Sequence, residues 1–374
     1  MDRQTLTVAE HAPRFASVPC VPGVYVFQDS AGNPLYVGKS KQLRRRLQSY
    51  FCRRGSERRK ATMVQLFATT VSLELAGSDF AAMLRELELV HELRPRFNQR
   101  MRYPERYAYI AIDFRLPYPR LRLTTEPDSH SVFLGPFAAR SRMRAAVQEI
   151  SDAFSLRTCS DPMPSAAEGR SCWRYHVRTC CAPCQGKVSS GTYGRALLQA
   201  VRTLTGSSHA LRQWRAQRAE LVEQLAFERA HRLLQRELRV QAAQRLLFLA
   251  VRRGDDAVVI QPSVNPDCVC LWAIRSGDIA SHIEIPHAEL AAGIERLWAV
   301  YSEPAPQARF LPQADIDRRW IIYRWLRSDE GRAWSIPIRG RSLSTVRSEL
   351  HALARRLPRA LMPSAPALAG ASGA

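Results

Sequence analysis

The stretch GVYVFQDSAGNPLYVGKSKQLRRRLQSYF, Gly23 to Phe51, sets two tyrosines eleven residues apart and follows them with a lysine and a file of arginines. GVYVFQD and PLYVGKS are short runs rich in β-branched and aromatic residues, and the turn-forming SAGN between them makes a hairpin. Leu43, Leu47 and Tyr50 then recur at helical spacing, with Lys41, Arg44, Arg45 and Arg46 around the rest of that helix. Cleavage of a phosphodiester by water asks for a base, positive charge around a crowded anionic transition state, and stabilisation of the leaving oxygen. This stretch supplies candidates for all three. Tyr25 and Tyr36 face one side of the hairpin, and Lys39 or a metal hydroxide would favour the phenolate form of either. Gly38 lets a phosphate approach the backbone, and Arg46 offers it paired donors.

A third strand is expected at TVSLELA, after which Asp79 reads as the N-cap of a helix over FAAMLRELELVHEL that stops before Pro95. Glu86 lies on that helix near Met83, Leu87 and Val90, a hard oxygen ligand suited to one magnesium or manganese ion with several waters. Taken singly, two strand tyrosines are packing residues, the basic helix is a solvated face and Glu86 is a surface ion-pair partner. It is the combination that points to a nuclease.

At 374 residues the chain is long enough for two domains or more. No apolar run approaches the roughly 20 residues of a membrane span, and the first residues lack the apolar centre of a secretory signal, so a cytoplasmic location without membrane attachment is expected. The formal charge of +21 is spread along the chain and attracts polyanions, nucleic acid first. Five of the nine cysteines fall within 26 residues, a density that suggests metal ligation. Four thiolates hold either a four-iron four-sulfur cluster or tetrahedral zinc, and spacing alone does not decide between them.

The motifs GVY, Gly23–Tyr25, and YVG, Tyr36–Gly38, resemble the signature of the GIY-YIG nuclease superfamily, and LRELELVHELRPRFN resembles its helix with the glutamate twelve residues before the asparagine. The resemblance implies catalytic roles for Tyr25, Tyr36, Lys39, Arg46, Glu86 and Asn98, with Glu86 holding the metal and Asn98 supporting the site. Gly38, Lys41, Arg44 and Arg45 are candidate DNA contacts. YAYIAIDFRLPYPRLRLT, FLGPF and CWRYHVRTCCAPCQGKV are similar to the N-terminal half of the bacterial excinuclease subunit UvrC and its shorter relative Cho. That likeness implies incision of damaged double-stranded DNA on the 3′ side of a lesion. It also matches Cys159, Cys172, Cys180 and Cys184 to the family's iron–sulfur positions, leaving Cys181 out. LVEQLAFERAHRLLQREL, Leu221–Leu238, is similar to a degraded UvrB-docking motif, with UvrA as the loader, while core packing of Leu225 and Phe227 is the competing reading.

The expected fold class is α+β: a GIY-YIG endonuclease domain over 15–100, built as a small antiparallel sheet with flanking helices, then a linker and cysteine-rich region over 101–206. A helical segment follows over 207–253, an α+β module without an assigned role over 254–345, and a basic helix with a disordered tail over 346–374. Residues 254–374 show neither strand-borne aspartates nor the helix–hairpin–helix pair of a second nuclease, so one incision is expected. The alternatives are a non-catalytic DNA-binding scaffold, which has no need of Glu86, and a mobile or restriction-type endonuclease, for which no sequence-reading module is apparent.

Overall fold

The computed structural model describes residues 3–12, 15–51, 58–99, 101–161, 163, 172–251, 255–302 and 311–357. The chain divides into two compact units, one formed by 1–103, 253–306 and 317–374 and the other by 104–252 and 307–316. Among the described residues no helix is long and apolar enough to cross a membrane.

The first unit begins with β1 (Arg3–Thr7), α1 (Val8–His11), β2 (Gly23–Gln28), β3 (Pro34–Ser40), α2 (Leu43–Phe51), α3 (Arg58–Phe67), β4 (Thr70–Leu75) and α4 (Asp79–Leu93). The strands form an antiparallel sheet in the order β1-β4-β2-β3. Strand periodicity sends Tyr25, Phe27 and Tyr36 to one face, where they meet Leu43, Leu47 and Tyr50 of α2. It sends Val24, Val26 and Val37 to the other, against Ala82, Leu89 and Val90 of α4. The sheet starts earlier than the expected boundary at 15, because Arg3–Thr7 pairs with β4. A correction concerns α4: Ser78, not Asp79, is its N-cap, the Ser78 hydroxyl accepting from the Ala81 N–H. Asp79 is thereby free to turn its carboxylate to Lys39.

The second unit contains β5 (Ala108–Ile112), β6 (Arg122–Thr124), β7 (Val132–Phe137), α5 (Arg140–Ala153), α6 (Trp173–His176), α7 (Ser190–Leu204), α8 (His209–Glu223) and α9 (Phe227–Val251). The sheet order is β6-β5-β7, and Ile110, Met143, Ile150, Leu197 and Val240 are among its fully buried core. The long pair α8 and α9 fills the stretch expected to be helical over 207–253. Leu225 and Phe227, for which core packing was the competing reading, stand 72% and 60% exposed at the tip between those helices.

The chain then returns to the first unit with β8 (Ala257–Pro262), β9 (Cys268–Arg275), β10 (Asp278–Pro286), α10 (Leu290–Ser302), α11 (Asp315–Leu326), α12 (Asp329–Trp334), β11 (Ser335–Pro337) and α13 (Leu343–Ala354). The sheet order is β10-β9-β8-β11. One face packs on α10 and α13, so the boundary expected at 345 falls inside a helix whose Val346 and Leu350 belong to this core. The other face, with Val259, Trp272 and Ile274, shares a core with Ile322 and Trp325 of α11 and with Phe80 and Leu84 of α4. Phe80 lies 4.3 Å from Trp325 and 5.5 Å from Trp272, ring centroid to centroid. Cys52 and the tail from 358 onward lie outside the described residues.

At Gly77 the two sheets of this unit approach so closely that a Cβ would stand 2.1 Å from the Pro262 carbonyl oxygen. Phe80→Ala is expected to destabilise the first unit by about 3–5 kcal/mol, and Gly77→Ala by about 1–3 kcal/mol, measured by urea denaturation. Wild-type stability in both variants would contradict a shared core.

Candidate active site

β3 is an outer strand of its sheet, so its outward backbone groups need partners. The segment after α4 supplies them. Arg96 and Phe97 N–H groups donate to the Pro34 and Leu35 carbonyls at 3.1 and 2.8 Å. The Asn98 side chain closes a two-bond pair with Val37, accepting from its N–H at 2.9 Å and donating to its carbonyl at 3.0 Å. Two residues further along the strand, the Lys39 N–H donates to the Glu86 carboxylate. Burial pushes the Glu86 pKa up to about 7, with Asp79 raising it further, while Lys39 and Arg46 pull the other way. Arg85, beside Glu86, donates to Glu74 of β4 at 2.6 Å and fixes the rotation of α4.

On the opposite face the Tyr25 hydroxyl lies 2.8 Å from that of Tyr50. Arg46 donates to Tyr25 at 3.1 Å and to Tyr50 at 3.2 Å. The Tyr36 ring centroid is 6.3 Å from both. Burial pushes the Tyr25 and Tyr50 phenols well above the ordinary range, against the weaker pull of Arg46, so neither rests as a phenolate. For Tyr25 this runs against the expected direction. The Lys39 ammonium pairs with Asp79 at 2.6 Å. Gly38 also has a steric duty: a Cβ there would stand 2.4 Å from the Tyr25 hydroxyl oxygen.

Tyr50 is the residue that sequence reasoning passed over. Its place four residues after Arg46, on the same helical face, was the available signal. Among the candidate DNA contacts, Lys41 and Arg45 are exposed, and Lys41 lies 2.7 Å from Glu330 and 3.8 Å from Asp79. Arg44 turns instead to the Val18 carbonyl, at 2.5 Å.

In the second unit the Cys180 thiol is raised by burial first and then by Cys159, Cys172 and Cys184, so all four lie within electrostatic reach of one another's charge at Cys180. Cys181 packs against the core, and burial lifts its thiol to about 11. Among the described residues no three His, Cys, Asp or Glu side chains close into a metal-holding group. The cysteine cluster therefore does not present a formed ligand set.

Two family models match the chain: the UvrC-like GIY-YIG domain over residues 21–99, and the UvrC/Cho excinuclease middle domain over 107–203. The UvrABC system protein C of Syntrophus aciditrophicus is 30% identical over 346 residues, covering 88% of this chain and 55% of that protein. Its counterpart from Nitratidesulfovibrio vulgaris is 31% identical over 330 residues, 85% of this chain and 46% of its own length. The chain spans about half the length of the curated relatives it matches. The solved GIY-YIG N-terminal endonuclease domain of UvrC from Thermotoga maritima, bound to magnesium, is 31% identical over 22% of this chain and 86% of that one, with a TM-score of 0.20.

The folded chain holds the Glu86 proton more tightly than an unfolded chain does, so stability falls as pH rises from about 4.5, the ordinary value, to about 7. At 1.36 kcal/mol per pKa unit the full effect is about 3 kcal/mol. Metal-free Glu86→Gln is expected to exceed the wild type by about that much at pH 8 and to match it near pH 4.5. Parallel stability–pH curves for the two proteins would contradict the burial of this carboxylate.

Proposed function

Because the chain is a UvrC-like GIY-YIG protein, we propose that it is a metal-dependent DNA endonuclease of nucleotide excision repair, incising the damaged strand once, on the 3′ side of a lesion. The observation that carries this reading is Glu86, a half-buried carboxylate oriented by the Lys39 N–H and set among Lys39, Arg46 and Asp79. A carboxylate with its pKa raised by burial is a group that a divalent cation would stabilise in its charged form. A magnesium or manganese ion there would supply Lewis-acid charge at the scissile phosphate. The chain's own groups do the rest. Arg46 is poised to take an anionic oxygen. The neutral phenols of Tyr25 and Tyr50, with Tyr36 beside them, orient a water or relay its proton through hydroxyl hydrogen bonds. Exposed Lys41 and Arg45 bind the flanking backbone.

A partner protein is supported by the exposed apolar tip of Val222, Leu225 and Phe227, which fits the UvrB-docking role, with UvrA loading the complex. The finer assignment of an iron–sulfur cluster or zinc to Cys159, Cys172, Cys180 and Cys184 rests on the density of cysteines in this stretch of sequence, and iron and sulfide content per chain decides it.

A duplex with one bulky adduct, incubated with Mg²⁺ and with or without UvrA and UvrB, tests the reading. One nick 3′ to the adduct is expected. Glu86→Gln should bind the duplex but leave it uncut, and Tyr25→Phe and Arg46→Ala should each slow nicking by about 100-fold or more. A 5′ nick that survives in Glu86→Gln would overturn the single-site account.

A further inference from the structure

Helix α11 has two chemically different faces. Ile322 and Trp325 are buried against Phe80 and the sheet of the C-terminal module. Trp320, Tyr323, Arg324 and Arg327, at i, i+3, i+4 and i+7, lie on the opposite side. The Trp320 and Tyr323 rings are stacked, with centroids 5.8 Å apart and planes 7° from parallel. The Arg327 guanidinium lies over Tyr323 at 3.8 Å and is held by Asp255 at 2.9 Å. Three planar groups therefore stand in a row. Trp320, its end member, is 40% exposed, and the Arg324 side chain beside it is exposed as well.

This row belongs to the same compact unit as Glu86, and a series of contacts joins them. Beyond Arg327 the chain turns into α12, whose Glu330 pairs with Lys41 at 2.7 Å. Lys41 neighbours Asp79, Asp79 holds the Lys39 ammonium, and the Lys39 N–H donates to Glu86.

We propose that this face of α11 is a second nucleic-acid contact, stacking unpaired bases of the strand that leaves the incision site. For the source of that strand the proposal rests on the nuclease reading. Every base offers a π-face to an aromatic platform whatever its identity, and guanidinium groups beside the platform take the phosphates. A paired duplex keeps its base faces covered, so the row selects single strands, flaps and gaps. The charge complement is present on the helix itself in Arg324 and Arg327 and in the chain's formal +21.

The test uses the full chain in EDTA, where no strand is cut, with a short dye-labelled oligothymidine and a blunt duplex of equal length. Trp320→Ala is expected to weaken oligothymidine binding about tenfold and duplex binding by less. Oligothymidine should quench tryptophan emission in the wild type, and most of that quenching should vanish in Trp320→Phe, a reading that does not depend on loss of affinity. Equal affinity of Trp320→Ala and wild type for oligothymidine, or equal quenching in Trp320→Phe, would overturn the proposal. Nicking of the adducted duplex in Mg²⁺ by the same preparations separates the two readings. Glu86-dependent nicking without a Trp320 signal refutes the second contact alone, and a Trp320 signal without nicking refutes the nuclease reading.

Discussion

The outer edge of β3 is the constraint on which the site depends. An unpaired strand edge must satisfy its outward N–H and C=O groups or lose about 1–3 kcal/mol for each one buried without a partner. Here the Asn98 amide takes both backbone groups of Val37, and the Glu86 carboxylate takes the N–H of Lys39 two residues on. The bonds that finish the sheet also aim the carboxylate. Glu86 and Asn98 stand twelve residues apart, and that length lets α4 and the turn after it serve alternate residues of the same edge.

Helix α4 is held from three directions. Ala82, Leu89 and Val90 lie on the β2–β3 face, Arg85 grips Glu74 of β4, and Phe80 and Leu84 share a core with Trp272 and Trp325. The C-terminal module thus forms part of the frame that positions Glu86, and Glu330 reaches Lys41 at the edge of the site. A half-buried carboxylate whose pKa is raised in this way lowers the stability of the metal-free protein at neutral pH. In the proposed reading a bound cation offsets that cost, because the same desolvation strengthens the attraction between them.

Much of the nuclease domain was legible in the sequence because its signals are local. The alternation in GVYVFQD and PLYVGKS sets both sheet faces, and the spacing from Glu86 to Asn98 belongs to one helix and one turn. What escaped depends on distant partners. Arg3–Thr7 is a strand only because β4 lies beside it, and Tyr50 reads as core until the Tyr25 hydroxyl is found 2.8 Å away. Ser78 and Asp79 are both capping types, and the choice between them is settled by Lys39, forty residues earlier. The direction of the phenol shifts follows from burial, which no spacing of tyrosines reveals. The contact of Phe80 with Trp272 and Trp325 spans more than half the chain and has no local signature.

The most direct test of Glu86 as the centre of the site is a titration of the full chain with Mn²⁺ at pH 8, followed by the electron paramagnetic resonance of the free ion. The account predicts one bound ion per chain in the wild type, weaker binding as pH falls through about 7 where Glu86 takes up its proton, and loss of that site in Glu86→Gln. Undiminished Mn²⁺ binding in Glu86→Gln would contradict it.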